Sequence, residues 1–256
     1  MKLEAFDLTG KVAIVTGSSK GIGRSIAEQL AQAGAAVVVS SRKAEACEPV
    51  AQAIRQAGGK AEVIPAHVGR EEDRAHLVEE TLKRLGRLDV LVCNAAANPY
   101  YGPLARVEDA AYHKTMDTNV LGALRLSGLA HPHLIKQGGG SIIFVASIAG
   151  LRGVPNLGSY SVSKAAMIQL ARSLAVDWGR DHIRVNCILP GLVKTDFARA
   201  LWENPALAEE GLRRNPLGRL GEPDDIGPAA VFLASRAGAW VTGSALVIDG
   251  GTTIME

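Results

Sequence analysis

The sequence predicts a doubly wound α/β domain, a seven-stranded parallel sheet flanked by helices. Three observations carry that expectation. Short β-rich runs alternate with longer helical patterns along the chain. A glycine-rich turn at 17–23 joins the first such run to the first helical pattern. No linker, low-complexity tract or internal repeat interrupts the 256 residues, so one domain over 1–256 is expected.

Residues 11–16 read as a buried-type strand that runs through the glycine turn into a helix from about 24 to 33. A second strand at 37–40 leads to a helix at 44–57, ended by the C-cap glycines Gly58 and Gly59. A third strand covers 61–65. Residues 71–85 form an amphipathic helix with acids in its first turn, as the macrodipole favours. The fourth strand spans 88–93. The long helical stretch at 108–137 reads as two helices, with Pro132 as a breaker. A fifth strand at 141–147 precedes a helix at 159–178. The sixth, at 183–189, is stopped by Pro190 and Gly191. Residues 192–216, with two proline-limited segments, read as a mobile insertion outside the core that closes over substrate. Pro223, Asp224 and Asp225 open another helix, with the acids as caps. The last strand is 245–248.

Composition narrows the function. The chain is 47% hydrophobic and 21% charged, enough to bury a core without disulfides or metals. A net charge of +2 with both signs scattered gives no nucleic-acid or membrane surface. Cys47, Cys93 and Cys187 are far apart and form no C-x-x-C, which fits a reducing compartment; Cys93 and Cys187 read as packing residues in strands. The first ten residues carry Glu4 and Asp7 and lack an apolar signal region. No apolar run is long enough to span a bilayer, and Thr253 to Glu256 is not a peroxisomal tail. A soluble cytoplasmic protein is expected. His131-Pro132-His133 lacks an acid or cysteine at ligand spacing, so no metal is expected.

The glycine turn places backbone N–H groups and a positive helix end toward an anion. Gly17 allows the tight turn, and Gly21 and Gly23 leave room for a pyrophosphate and close helix packing. Its spacing, G-x-x-x-G-x-G, departs from G-x-G-x-x-G. An acid that would bond a ribose 2′-hydroxyl belongs at the end of the second strand. Ser41 and Arg42 stand there instead, a pair that suits a 2′-phosphate, and Lys20 adds charge. The alternative is a solvated basic turn. The expectation is NADP(H) rather than NAD(H).

Tyr160 and Lys164 are four residues apart in a helical stretch, so phenol and ammonium share one face. A free phenol, with a pKa near ~10, is a poor acid or base at neutral pH. A cation beside it favours the phenolate, lowers that value and makes proton transfer practicable. An exposed helix face is the alternative for the pair alone.

With the glycine turn, these motifs resemble the short-chain dehydrogenase/reductase family over essentially the whole chain. Its T-G-x-x-x-G-x-G is Thr16 to Gly23, and its N-A-G is Asn94-Ala95-Ala96. Its helix asparagine is Asn119, its serine Ser147, and its tyrosine and lysine Tyr160 and Lys164. Its P-G turn is Pro190-Gly191, with Val193 and Thr195 after it. Ser40-Ser41-Arg42-Lys43, His67-Val68-Gly69, Asn94-Ala95-Ala96-Ala97-Asn98-Pro99 and Arg219-Leu220-Gly221-Glu222-Pro223 resemble, more narrowly, NADPH-dependent carbonyl and retinol reductases of the peroxisomal dehydrogenase/reductase type. Two positions depart from the family pattern: His67 replaces an aspartate near the adenine edge, and Ala96 replaces the N-A-G glycine.

The resemblance implies a Rossmann fold, a homotetramer joined through the helices at 108–137 and 159–178, and a small carbonyl or alcohol substrate. It implies a catalytic set of Asn119, Ser147, Tyr160 and Lys164. Tyr160 donates a proton, Lys164 lowers its pKa and holds the nicotinamide ribose, and Ser147 fixes the carbonyl oxygen. Asn119 holds helix geometry and a water path from Lys164. It implies cofactor contacts from Gly17, Ser19, Lys20, Gly21, Ile22, Gly23, Ser41, Arg42, His67, Val68, Asn94, Ala95, Ala96, Tyr160, Lys164, Pro190, Gly191, Val193 and Thr195. Thr195 serves equally as a helix cap, and Tyr100, Tyr101 and Trp202 either line the substrate cleft or pack on the surface. Two other readings stay open: a 3-oxoacyl thioester reductase, and an idle NADP(H)-binding sensor or scaffold, against which the intact Ser147, Tyr160 and Lys164 argue.

Overall fold

The first strand, β1 (Val12–Thr16), is buried at all five positions, as a strand covered on both faces must be. The structure, a computed structural model, describes residues 3–255, so Met1, Lys2 and Glu256 of the two terminal stretches lie outside it. The other strands are β2 (Ala36–Ser40), β3 (Lys60–Val63), β4 (Val90–Cys93), β5 (Gly140–Val145), β6 (Ile183–Pro190) and β7 (Ala245–Ile248). All pair in parallel, in the order β3-β2-β1-β4-β5-β6-β7. Chain order reverses between β1 and β4, where a crevice opens at the carboxyl ends of the strands.

The helices are α1 (Gly21–Gln32), α2 (Ala44–Gln56), α3 (Glu71–Leu85), α4 (Asp109–Met116), α5 (Gly122–Lys136), α6 (Gly158–Trp178), α7 (Arg199–Trp202), α8 (Pro205–Arg213) and α9 (Gly227–Ala234). Strand alternation splits the core between the two sheet faces. Ala13, Val15, Val37, Val39, Val92 and Val145 pack with Ile26 and Leu30 of α1, Ile54 of α2 and Leu233 of α9. Ile14, Val38, Leu91, Ile142 and Phe144 pack with Leu77 of α3, Leu126 and Leu134 of α5 and Met167 of α6. Each such Val, Leu, Ile, Phe or Met side chain, fully buried, stabilises the fold by about 1.5–3 kcal/mol.

Several expected boundaries move. Helix α1 starts at Gly21, three residues early, so both of its glycines lie in the first turn. Strand β3 stops at Val63, short of Pro65, which has no N–H to donate. Strand β5 stops at Val145, and Ser147 instead caps a 3₁₀ turn at Ile148–Gly150 by accepting from the Ala149 N–H at 3.1 Å.

The stretch expected as two helices is one run: α4 passes through a π-turn, Asp117–Leu121, directly into α5. Pro132 does not break it. The bond lost at the proline is offset by Leu126, Ala130 and Leu134, all buried in the core. His131 lies 3.0 Å from the Asp181 carboxylate and stacks on Trp178 at 4.4 Å, a packing arrangement. The 192–216 segment contains α7 and α8, neither of which has a buried residue, so these helices sit outside the core, but Val193 at its start is buried in it. Among the described residues no helix is long and apolar enough to cross a membrane.

Candidate active site

The crevice is organised by one amide. Asn94, just past β4, donates through Nδ2 to the Thr16 and Gly17 carbonyls, each at 3.0 Å. The Thr16 hydroxyl donates to the Val92 carbonyl at 3.2 Å and accepts from the Asn94 and Ala95 N–H groups at 3.1 and 3.2 Å. This crossing fixes β1 and β4 at the switch point and leaves no room beside it. A Cβ on Gly23 would stand 2.4 Å from both Asn94 Nδ2 and the Gly17 carbonyl oxygen. Gly17 has φ +65°, and a Cβ there would lie 2.9 Å from the Ala95 backbone. Both glycines are thus required by a close approach within the chain itself.

Helix α1 has no side-chain cap at its N-terminus, so the N–H groups of Gly21, Ile22 and Gly23 keep their anion-binding capacity. Ser19 and Ile22 are half-buried beside them. Lys20 is tied up: its Nζ pairs with Asp196 at 2.8 Å, which docks the start of the 192–216 segment on the glycine turn. Ser18 holds the turn to β2, its Oγ donating to the Val15 carbonyl at 2.6 Å and accepting from the Ser40 N–H at 2.9 Å.

At the end of β2, Ser41 is half-buried and Arg42 exposed. No ion pair or side-chain hydrogen bond engages Arg42 among the described residues. His67 and Val68 face this end. The His67 N–H donates to Asp73 at 2.7 Å, and its Nδ1 accepts from the Gly69 N–H at 3.1 Å. Burial first, then Lys114, Arg70 and Arg42, push the imidazole below its ordinary value, so His67 is neutral at pH 7. The Val68 carbonyl is already taken by Arg74 at 2.8 Å.

Tyr160 lies in the first turn of α6, half-buried, with the Phe197 ring 5.9 Å away. Burial of its hydroxyl pushes the phenol up to about 12, and a hydrogen bond with Ser147 pulls the other way. Sequence spacing places Lys164 beside the phenol, but its Nζ donates to the Val145 carbonyl at 2.8 Å and stands 5.4 Å from the Tyr160 ring centroid. Burial pushes this lysine down to about 8. The expected lowering of the phenol by Lys164 is therefore not what dominates here; desolvation is. Asn119 is 1% exposed, in the π-turn, and its amide is cross-tied to Ala97, whose N–H donates to Oδ1 at 2.7 Å and whose carbonyl accepts from Nδ2 at 3.0 Å. Ala95 and Ala96 line the same loop, half-buried.

Beyond β6, Gly191 packs so closely on Asp249 that a Cβ would meet it at 2.8 Å. Val193 is buried and bridges to Gly221. Thr195 caps the 3₁₀ turn Asp196–Ala198 through its hydroxyl, and its carbonyl accepts from Trp202 Nε1 at 2.8 Å. Trp202 thus anchors the segment. Tyr100 closes its own turn on the Pro103 carbonyl at 2.9 Å, whereas Tyr101 is exposed. Asp225 pairs with Arg219 and completes a capping box with Glu222, as the capping expectation requires.

Pattern reading misses Ser18, Asp196, Phe197 and Ser163. The last was signalled only by its position three residues after Tyr160, on the same helix face. Among the described residues no group of three or more His, Cys, Asp or Glu is placed to hold a metal.

Comparison with known proteins agrees with this geometry. Residues 17–253 match the family model described as enoyl-(acyl carrier protein) reductase. The chain is 41% identical over 244 residues to dehydrogenase/reductase SDR family member 4 of Oryctolagus cuniculus, covering 95% of this chain and 94% of that one. The Homo sapiens protein of the same name is 40% identical over 245 residues, covering 96% and 88%. Among solved structures, a 7α-hydroxysteroid dehydrogenase complexed with NADH and 7-oxo glycochenodeoxycholic acid superposes with TM-score 0.94 at 37% identity, covering 98% and 97%. A gluconate 5-dehydrogenase from Burkholderia cenocepacia J2315, in complex with NADP and tartrate, superposes with TM-score 0.95 at 33% identity, covering 99% of both chains. Fold, crevice and similarity converge: the chain belongs to the short-chain dehydrogenase/reductase family, oxidoreductases that use a nicotinamide cofactor to interconvert carbonyl and alcohol groups.

Proposed function

We propose that this protein is an NADP(H)-dependent reductase of ketones or aldehydes, with Tyr160 as the general acid. The observation that carries the reading is the placing of Tyr160 in the first turn of α6 with the Lys164 ammonium 5.4 Å from its ring centroid, beside Ser147 at the turn that follows β5. The crevice fits a dinucleotide: Gly17 and Gly23 let the turn close tightly on Asn94 and Ala95, and α1 offers uncapped N–H groups for the pyrophosphate. Ser41 and the unpaired Arg42 suit a 2′-phosphate, where an acid would repel it. Ser19, Lys20 and Ile22 flank the pyrophosphate. His67 and Val68 flank the adenine, and Asn94, Ala95, Ala96, Pro190, Gly191, Val193 and Thr195 the nicotinamide half.

The residues above would hold NADPH, which when bound would supply the hydride that reduces the carbonyl carbon. Ser147 hydrogen-bonds the carbonyl oxygen and fixes its position. Tyr160 gives its proton to that oxygen as negative charge develops there, a contribution of about 10²–10⁴-fold. A phenol held high by burial is fully protonated at pH 7, which suits the reductive direction. Lys164, released from Val145, returns charge and a proton to the phenolate side. Asn119 holds the turn on which these groups rest. The segment at 192–216, with Phe197 beside Tyr160, covers the substrate. Exposed Leu121, Leu129, Ile135, Val162 and Val176 on the π-turn, α5 and α6 support a homotetramer assembled through those helices.

The test is consumption of NADPH and of NADH against a panel of carbonyl compounds. Preference for NADPH is the expected result. Preference for NADH reduces Ser41 and Arg42 to a solvated turn, and cofactor binding without turnover of any carbonyl removes the reductase reading.

A further inference from the structure

Ser163 immediately precedes Lys164 and is fully buried. Its hydroxyl is used twice: Oγ accepts from Asn119 Nδ2 at 3.0 Å and donates to the Tyr160 carbonyl at 2.7 Å. Back-bonding of a serine to the carbonyl three residues earlier is common in helices and needs no partner. The second bond is different. It comes from a side chain on another helix, and it completes the Asn119 amide, whose other N–H and whose oxygen are already held by Ala97. A continuous belt results. It runs from Thr16 through Asn94 and the loop to Ala97, then through Asn119 and Ser163 to the backbone of Tyr160.

The belt matters because of where Asn119 sits. A π-turn widens the helix and interrupts its regular hydrogen bonding, so local geometry there depends on side-chain ties. Tyr160 stands in the first turn of α6, which has no side-chain cap of its own. The helix end that carries the phenol therefore takes a fixed position from Ser163.

We propose that Ser163 is a positioning residue for the proton transfer: joined to Asn119, it locks the turn of α6 that presents Tyr160 to Ser147. The proposal rests on the reading of Tyr160 as general acid. A displacement of about 1 Å at a reacting group costs on the order of 10²-fold, so a small release of this turn is visible in kcat.

The experiment uses the full-length protein and the best carbonyl of the panel. Ser163→Ala is compared with Ser159→Ala, one turn earlier on the same face. Ser159 is 2% exposed and its hydroxyl finds no hydrogen-bond partner among the described residues, so it controls for truncation of a buried serine. Ser163→Ala is expected to lower kcat by about 10- to 100-fold. KM and NADPH affinity stay within about twofold, so the loss falls on kcat alone. Ser159→Ala is expected to match wild type. Combined with Asn119→Ala, the Ser163→Ala loss should be absorbed rather than multiplied, because both remove one tie.

A Ser163→Ala enzyme with wild-type kcat overturns the proposal. So does a multiplicative double variant, or a loss shared equally by kcat, NADPH affinity and thermal stability, which marks a packing role only. Retained turnover in Tyr160→Phe overturns the reading beneath it instead, so the two failures are distinct.

Discussion

Lys164 Nζ donates to the Val145 carbonyl at 2.8 Å. The ammonium is thereby held against the end of β5, in a site where burial pushes the lysine down to about 8. Holding a proton there is costly. The unfolded chain keeps its lysine protonated up to about 10.4, so between about 8 and that value it binds more protons than the native protein, and stability rises with pH. Below pH 8 the penalty is fully present, on the order of 3 kcal/mol before the Val145 bond offsets about 1 of it. Lys164→Met should therefore abolish turnover yet unfold at higher urea at pH 7, by about 1–2 kcal/mol. The gain should fade between about pH 8 and 10.4. Urea melts across that range decide it; a less stable Lys164→Met at pH 7 contradicts the desolvation argument.

Tyr160→Phe removes one oxygen, next to Ser147, and leaves the glycine turn untouched. Turnover should fall by about 10²–10⁴-fold, the range of general acid catalysis. NADPH affinity, measured by fluorescence titration, should stay near wild type. A variant with wild-type kcat excludes Tyr160 from the proton transfer.

Arg42 is exposed and, among the described residues, makes no ion pair or side-chain hydrogen bond, so its replacement removes only its electrostatic influence on His67. A guanidinium on a phosphate is worth about 1.5–3 kcal/mol, so Arg42→Ala should weaken NADPH binding by roughly 10- to 100-fold. NADH binding should not change. Equal effects on both cofactors, read by calorimetry, contradict a 2′-phosphate contact.

Most strands were legible because they are runs of apolar residues bounded by turn residues, as in Val12 to Thr16 before Gly17. Tyr160, Lys164 and the glycine turn were legible because their spacing is local. What escaped was set by distant partners. No local pattern places Asn94 Nδ2 against Gly23, Asp196 against Lys20, or Asn119 against Ser163. The π-turn was invisible because nothing in Asp117–Leu121 distinguishes π from α hydrogen bonding, and Pro132 does not break α5 because packing there overrides the lost bond. The Lys164 contact has a similar origin: spacing brings it to the Tyr160 face, but Val145 decides where its ammonium points.

Asp89, at the opposite end of the sheet from the crevice, gives a prediction about the fold alone. It is 4% exposed and accepts from Arg87 Nε and Nη2 at 2.8 and 2.7 Å, the Val12 N–H at 3.0 Å and Lys11 Nζ at 3.1 Å. Burial raises its pKa, but Arg87, Val12 and Lys11 together outweigh burial and hold the carboxyl below its ordinary value. The bond to Val12 also sets the start of β1 against β4, where Ala13 faces Val90. Because the folded pKa is depressed, the stabilisation is fully present above the unfolded value of about 3.9 and is lost as pH falls through the folded one. Asp89→Asn keeps the shape and removes the charge, so it should cost about 2 kcal/mol at pH 7, discounted for the half-exposed lysine. The gap to wild type should narrow as the pH drops below about 4, since wild type then loses the same carboxylate. NADPH affinity should not move at any pH. A gap that stays constant in urea melts down to acid pH would assign the effect of Asp89 to shape rather than charge.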